Sequence, residues 1–114
     1  MKYVLKTRQF SHWMKKTQLD DAALITALNE MARGLVDADL GSNLYKKRIA
    51  LPGRGKSGST RTIIATNREN RCFFLYGFEK NEKENISQAE LTYLQGVANL
   101  FLHYSEAELE AAIA

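Results

Sequence analysis

Two runs near the middle of the chain constrain the fold most. Thr60 to Thr66 is β-branched throughout except for Arg61 and Ala65, Arg71 to Phe78 is nearly all apolar, and Asn67–Asn70 between them has the composition of a turn. β-Branched and aromatic side chains suit a pleated, buried surface, and a short polar insert joins antiparallel neighbours. The two runs are read as the central strands of a sheet, and the rest of the chain has to be arranged around them.

The flanking segments supply helices and outer strands. Lys2–Lys6 is short, β-prone and bounded by charge, so it reads as a strand. From Arg8 to Lys16, Phe10, Trp13 and Met14 fall at i, i+3 and i+4, the spacing of one helix face. Thr17 with Asp20 has the form of a helix start, Leu24, Leu28, Met31 and Leu35 continue at helical spacing, and Gly34 offers a left-handed stop. Residues 35–43 read as a connector, 44–50 as a strand with the basic interior Lys46-Lys47-Arg48, and Pro52 to Ser59 as a loop that holds the only proline. Ser87 with Glu90 marks a further helix start, followed by Leu91, Leu94, Ala98 and Phe101 on one face, and Ser105 with Glu108 repeats the device. The resulting order, β-α-α-β-β-β-α with a short terminal helix, predicts an α+β fold: a small antiparallel-rich sheet with helices packed on one face and the other face partly open.

With 114 residues, one domain spanning 1–114 is expected, and 45% apolar with 25% charged residues is the composition of a folded chain. The apolar run Cys72 to Phe78 is too short to span a bilayer, and the basic N-terminus lacks the apolar stretch of a signal peptide. A soluble, cytoplasmic protein without a membrane partner is the expectation. One cysteine and two histidines, His12 and His103, leave no basis for a disulfide framework or a thiolate zinc site and little for any metal centre, so no cofactor is expected.

The net charge of +3 is unevenly spread: residues 1–18 carry +5, 19–43 carry −4, 44–71 carry +7 and 72–114 carry −5. A localised basic centre of this kind fits a polyphosphate partner, because each neutralised phosphate releases counterions. A solvated basic face balanced by acidic helices fits equally well, and charge alone does not separate the two.

Within that centre, Gly55-Lys56-Ser57 invites comparison with a phosphate-cradling P-loop, but Ala50 stands where the first glycine belongs and a β-branched strand follows instead of a helix. What survives is a basic loop whose Arg54 and Lys56 can follow a phosphate backbone, flanked by Lys46, Lys47 and Arg48. Arg61 is more informative, since its strand is otherwise uncharged and its parity matches Ile63 and Ala65. It either lies in solvent at the strand end or presents a fixed guanidinium to an anion held over the sheet; the fit of a planar fork to phosphate favours the second. Tyr76 and Phe74 read first as core aromatics at alternating positions, while Lys80 and Asn81 follow the strand end beside the basic loop. The histidines lack a partner at ligand or dyad spacing, and no nucleophile–base set or glycosidase carboxylate pair is present.

Three segments together, Lys46-Lys47-Arg48-Ile49-Ala50, Gly53-Arg54-Gly55-Lys56-Ser57-Gly58 with Arg61-Thr62, and Phe73-Phe74-Leu75-Tyr76-Gly77-Phe78-Glu79-Lys80-Asn81-Glu82, resemble the RelE/HigB-type toxins of bacterial type II toxin–antitoxin modules. The resemblance runs along most of the chain. It implies a RelE-like fold and a ribosome-dependent mRNA endoribonuclease, held inactive by a cognate antitoxin of the helix-turn-helix type and touching DNA only indirectly through that complex. In such enzymes the RNA 2′-hydroxyl attacks the adjacent phosphate, so cations and a proton carrier matter more than a metal.

Carried over residue by residue, the resemblance gives Arg61, Lys56, Lys80 and Tyr76 as catalytic candidates. Lys46, Lys47, Arg48, Arg54 and Asn81 become candidates for holding RNA or the ribosome. The sequence departs from family members that place a histidine near the end of the last strand, since 76–86 has none, and Tyr76 or a lysine is left as the base. The alternatives are a ParE-like gyrase poison without nuclease chemistry and a non-catalytic RNA- or antitoxin-binding module.

Overall fold

The computed structural model describes residues 1–51 and 60–113. Along the chain run β1 (Tyr3–Lys6), α1 (Arg8–Met14), α2 (Asp21–Ala32), β2 (Ala38–Asp39), β3 (Leu44–Ile49), β4 (Thr60–Thr66), β5 (Arg71–Glu79), α3 (Gln88–Leu102) and α4 (Glu106–Ile113). The predicted order is present, with the two-residue β2 added inside the segment expected to be a connector. The five strands form one sheet in the order β1-β5-β4-β3-β2. Only β1 and β5 run parallel; the other three ladders are antiparallel, so β4 and β5 occupy the centre as their composition predicts.

Local sequence explains the helix ends. The Asp20 carboxylate accepts from Ala23 N at 2.9 Å and is the true cap of α2, while Thr17 serves the turn before it, donating to Met14 O and accepting from Leu19 N. Gly34, at φ 84°, closes the helix: its N–H reaches Met31 O, and Leu35 N–H reaches Glu30 O. This doubled bond is the left-handed stop that glycine permits. Reciprocal capping boxes start α3 at Ser87/Glu90 and α4 at Ser105/Glu108.

Helix placement differs from the expected single-sided layer. α1 and α2 bury Phe10, Met14, Leu24, Ala27 and Met31 against Tyr45, Ile49, Ile64, Cys72 and Phe74 on one face. α3 and α4 bury Leu94, Ala98 and Leu109 against Leu44, Ile63, Ala65, Phe73, Leu75 and Phe78 on the other. The physical reason lies in β5, which is apolar at nearly every position and therefore needs cover on both sides. The second face is still not fully roofed: Lys46, Arg48, Arg61 and Tyr76 remain half-buried. Arg71, at the start of β5, is drawn inside and donates to Tyr104 O at 2.5 Å, where a cation suits the carbonyls at the C-terminal end of α3. Among the described residues no helix is long and apolar enough to cross a membrane.

Candidate nucleic-acid interface

Strand register builds the site. On the face that carries α3, Arg48 of β3 lies opposite Arg61 of β4, which lies opposite Phe78 of β5; the next row is Lys46, Ile63 and Tyr76. Three basic side chains thus share the less-roofed end of one sheet face. Like charges directly opposite on neighbouring strands repel, and Asp37 offsets one of them. Its Oδ1 is 3.0 Å from Arg48 Nε, and its Oδ2 accepts from Arg48 N at 2.6 Å. Burial pushes the Asp37 carboxyl up, but the Arg48 backbone and side-chain hydrogen bonds outweigh it and hold the carboxyl below its ordinary value.

A bulge decides what β5 contributes. Ile63 pairs with Tyr76 but the next residue, Ile64, pairs with Phe74, leaving Leu75 as the extra residue. The alternation of side chains therefore reverses there, as bulges do when they re-aim a strand. Phe74 stays under α1, whereas Tyr76 and Phe78 both turn to the α3 face, their rings 5.9 Å apart. The simple alternation that put Tyr76 and Phe74 together does not hold. Gly77, between them, faces Trp13 of α1 so closely that a Cβ would lie 2.3 Å from the indole ring.

Beside Tyr76 stand two residues that sequence reasoning missed. Glu90 Oε2 accepts from the Tyr76 hydroxyl at 3.2 Å and lies 2.7 Å from Lys83 Nζ, while Lys83 Nζ sits 5.4 Å from the Tyr76 ring centroid and 6.0 Å from that of Phe78. The Lys83 hydrogen bond, with that of the Ser87 backbone, holds the Glu90 carboxyl down to about 2. In return Glu90, and then Tyr76, push the Lys83 ammonium above its ordinary value. Glu90 was visible in the sequence only as half of a capping box, and Lys83 only as one charge in an acidic run.

Lys47 requires a correction. Expected among the RNA-holding cations, it points to the opposite face, where its side chain is 3% exposed under α2 and its Nζ is 2.8 Å from Glu30 Oε1. Adjacent strand residues face opposite ways, so Lys46 and Arg48 cannot share a surface with Lys47. Lys80 and Asn81 are exposed in the turn after β5, which Glu82 closes by accepting from Glu79 N at 3.0 Å. Arg54 and Lys56 lie outside the described residues. The described strand that follows them opens at Thr60, paired with Glu79, immediately before Lys80. His12 and His103 are exposed, and His103 Nδ1 lies 2.7 Å from Asn99 O. The arrangement is a half-roofed face that carries two guanidinium groups, a tyrosine hydroxyl and an ammonium anchored by Glu90, a set of donors suited to an anion.

A search of curated proteins found no match. The family model described as the RelE toxin of the RelE / RelB toxin-antitoxin system matches residues 1–114, the whole chain, and with the α+β fold above it establishes that this protein belongs to the RelE toxin family, the toxin of a toxin–antitoxin pair with a cognate antitoxin as its partner.

Proposed function

We propose that the protein is a ribosome-dependent endoribonuclease that cuts translated mRNA in the cytoplasm and so inhibits translation. The observation that carries this reading is the row formed by Arg48 and Arg61, with Lys46 and Tyr76 in the row beside it, on the half-roofed face. In the reaction the 2′-oxygen of the substrate attacks the adjacent phosphorus, its proton passes to a base, and the bond to the 5′-oxygen breaks as that oxygen takes up a proton. The products are a 2′,3′-cyclic phosphate and a 5′-hydroxyl end. This chemistry needs alignment and charge stabilisation above all.

Arg61, on a central strand, donates two parallel hydrogen bonds to the phosphorane oxygens as charge builds, an interaction stronger in the transition state than in the bound substrate. Lys46 and Arg48 hold the RNA backbone, joined by Arg54 and Asn81. Lys56 and Lys80 are further phosphate contacts, and Lys80 is a candidate acid for the leaving oxygen. Tyr76, whose hydrogen is directed to Glu90, has its oxygen lone pairs as acceptors for the 2′-hydroxyl. The ribosome supplies the in-line alignment of RNA that a small sheet cannot impose. The antitoxin is of the helix-turn-helix type, and contact with DNA passes through it.

Primer extension on mRNA after induction, with and without ribosomes, tests the reading. Cuts confined to translated message are expected, with naked RNA largely intact. Intact mRNA accompanied by accumulating gyrase–DNA cleavage complexes overturns it in favour of a gyrase poison. Arg61→Ala is expected to slow single-turnover cleavage by about 10²–10³-fold, the usual cost of one preorganised donor. Arg61→Lys recovers little, because the two-pronged geometry is lost. Near wild-type cleavage by folded Arg61→Ala removes Arg61 from catalysis.

A further inference from the structure

Glu90 stands at the third position of α3, and its two oxygens do different things. Oε1 accepts the Ser87 N–H at 2.8 Å while Ser87 Oγ accepts the Glu90 N–H at 3.1 Å, which completes the capping box. A capping box is made equally by Glu or Gln, so starting the helix does not require a charge here. Oε2 is the oxygen that requires it. Both of its side-chain neighbours, Lys83 Nζ and the Tyr76 hydroxyl, are donors to it. An amide whose oxygen is engaged at Ser87 would turn an NH₂ group toward the Lys83 ammonium, donor against donor.

The pair that Glu90 anchors borders the arginine row. Tyr76 follows Lys46 and Ile63 across the sheet, and Lys83 stands over Tyr76 beside Phe78, the β5 neighbour of Arg61. Neighbouring strands lie about 4.8 Å apart, so the end of β5 that carries Tyr76 and Phe78 lies one strand over from Arg61. Lys83 is a third exposed, and an ammonium has three N–H donors, of which Glu90 takes one.

We propose that Glu90 is a positioning residue that holds Lys83 and the Tyr76 hydroxyl as a preset pair, so that Lys83 grips the RNA phosphate next to the scissile one and Tyr76 meets the ribose between them. The proposal rests on the ribonuclease reading and adds to it a cation and a positioning carboxylate. Presetting spares the long lysine side chain the ordering it would otherwise undergo on binding, and a displaced contact of this kind lowers rate through misalignment.

Single-turnover cleavage on programmed ribosomes by the wild type, Glu90→Gln, Lys83→Met and the double variant tests it, with thermal unfolding of each. Glu90→Gln keeps the capping box and is expected to lower the melting temperature by no more than about 5 °C. Its cleavage rate falls about 10²-fold. Lys83→Met, which cannot touch the cap, shows a similar loss, and the two losses do not multiply in the double variant, because both pass through the Glu90–Lys83 contact and only the hold of Glu90 on the Tyr76 hydroxyl adds a smaller further loss. Wild-type cleavage by either single variant, or losses that multiply in the double, overturns the proposal while the ribonuclease reading stands. A wild-type protein that leaves translated mRNA intact overturns both.

Discussion

Replacing Gly77 with alanine tests how tightly α1 is seated on the strand that carries Tyr76 and Phe78. A Cβ at position 77 would lie 2.3, 2.4 and 2.6 Å from three carbons of the Trp13 ring. Carbon atoms pack best at about 3.5–4.0 Å, so the indole must retreat by more than 1 Å. It is not free to do so without consequence, because the Trp13 ring packs tilted against Phe10 with centroids 5.4 Å apart, and Phe10 packs on Phe74 at 5.4 Å; both phenylalanines are fully buried. Overpacking of this kind costs about 1–3 kcal/mol, partly offset by the roughly 0.5–1 kcal/mol gained when alanine replaces glycine in a strand. A net loss of about 1–2 kcal/mol is expected, or about 4–8 °C in melting temperature per kcal/mol. Trp13 is the only tryptophan, so its fluorescence reports directly on the displaced contact, and circular dichroism follows global unfolding. In a Trp13→Leu background the same glycine substitution should cost little or become stabilising. Equal costs in the two backgrounds would refute the steric account, since the effect would then not pass through the indole.

Lys47→Met should destabilise the protein by about 1–3 kcal/mol, below the cost for a fully buried pair because Glu30 keeps a quarter of its side chain in solvent, and it should leave the salt dependence of ribosome binding unchanged. Lys46→Ala should do the reverse, lowering the salt slope by about 1 with little change in unfolding; identical salt slopes for the two variants would contradict the face assignment. The Glu90 carboxyl is depressed from 4.5 to about 2, so its contribution to stability is complete above pH 4.5 and is lost as pH falls toward 2. The stability difference between wild type and Glu90→Gln in urea titrations should therefore shrink across that window, and a constant difference would count against the pairing. Cys72 is fully buried in β5 and burial pushes its thiol up to about 12. A thiol reagent at neutral pH should label it only as fast as the sheet opens, with rates that rise in step with global unfolding in urea; labelling of the native protein at the rate of a free thiol would refute this.

Features set by short-range contacts were legible in the residues themselves. Ser87 with Glu90, Ser105 with Glu108 and Gly34 after Ala32 define helix ends through bonds that span three to five residues, so the pattern and the structure coincide. The hairpin of β4 and β5 followed from composition, and the concentration of positive charge in 44–71 followed from counting. The face on which each charge would stand was not contained in that count. Lys46, Lys47 and Arg48 must alternate, but which of them meets solvent depended on α2 packing against the Lys47 side and bringing Glu30 with it.

The bulge at Leu75 is likewise a property of two strands in register, and no local signal announced that Tyr76 would leave the Phe74 side for the Arg61 side. The approach of Lys83 and Glu90 to Tyr76 joined a turn, a helix start and a strand up to 14 residues apart. The sequence by itself determined the elements and their charges, because propensity, capping and composition act within a few residues. Which charges converge on one face, and which carboxylate anchors them, was decided only by the tertiary structure, because side-chain direction depends on packing between elements that are separated along the chain.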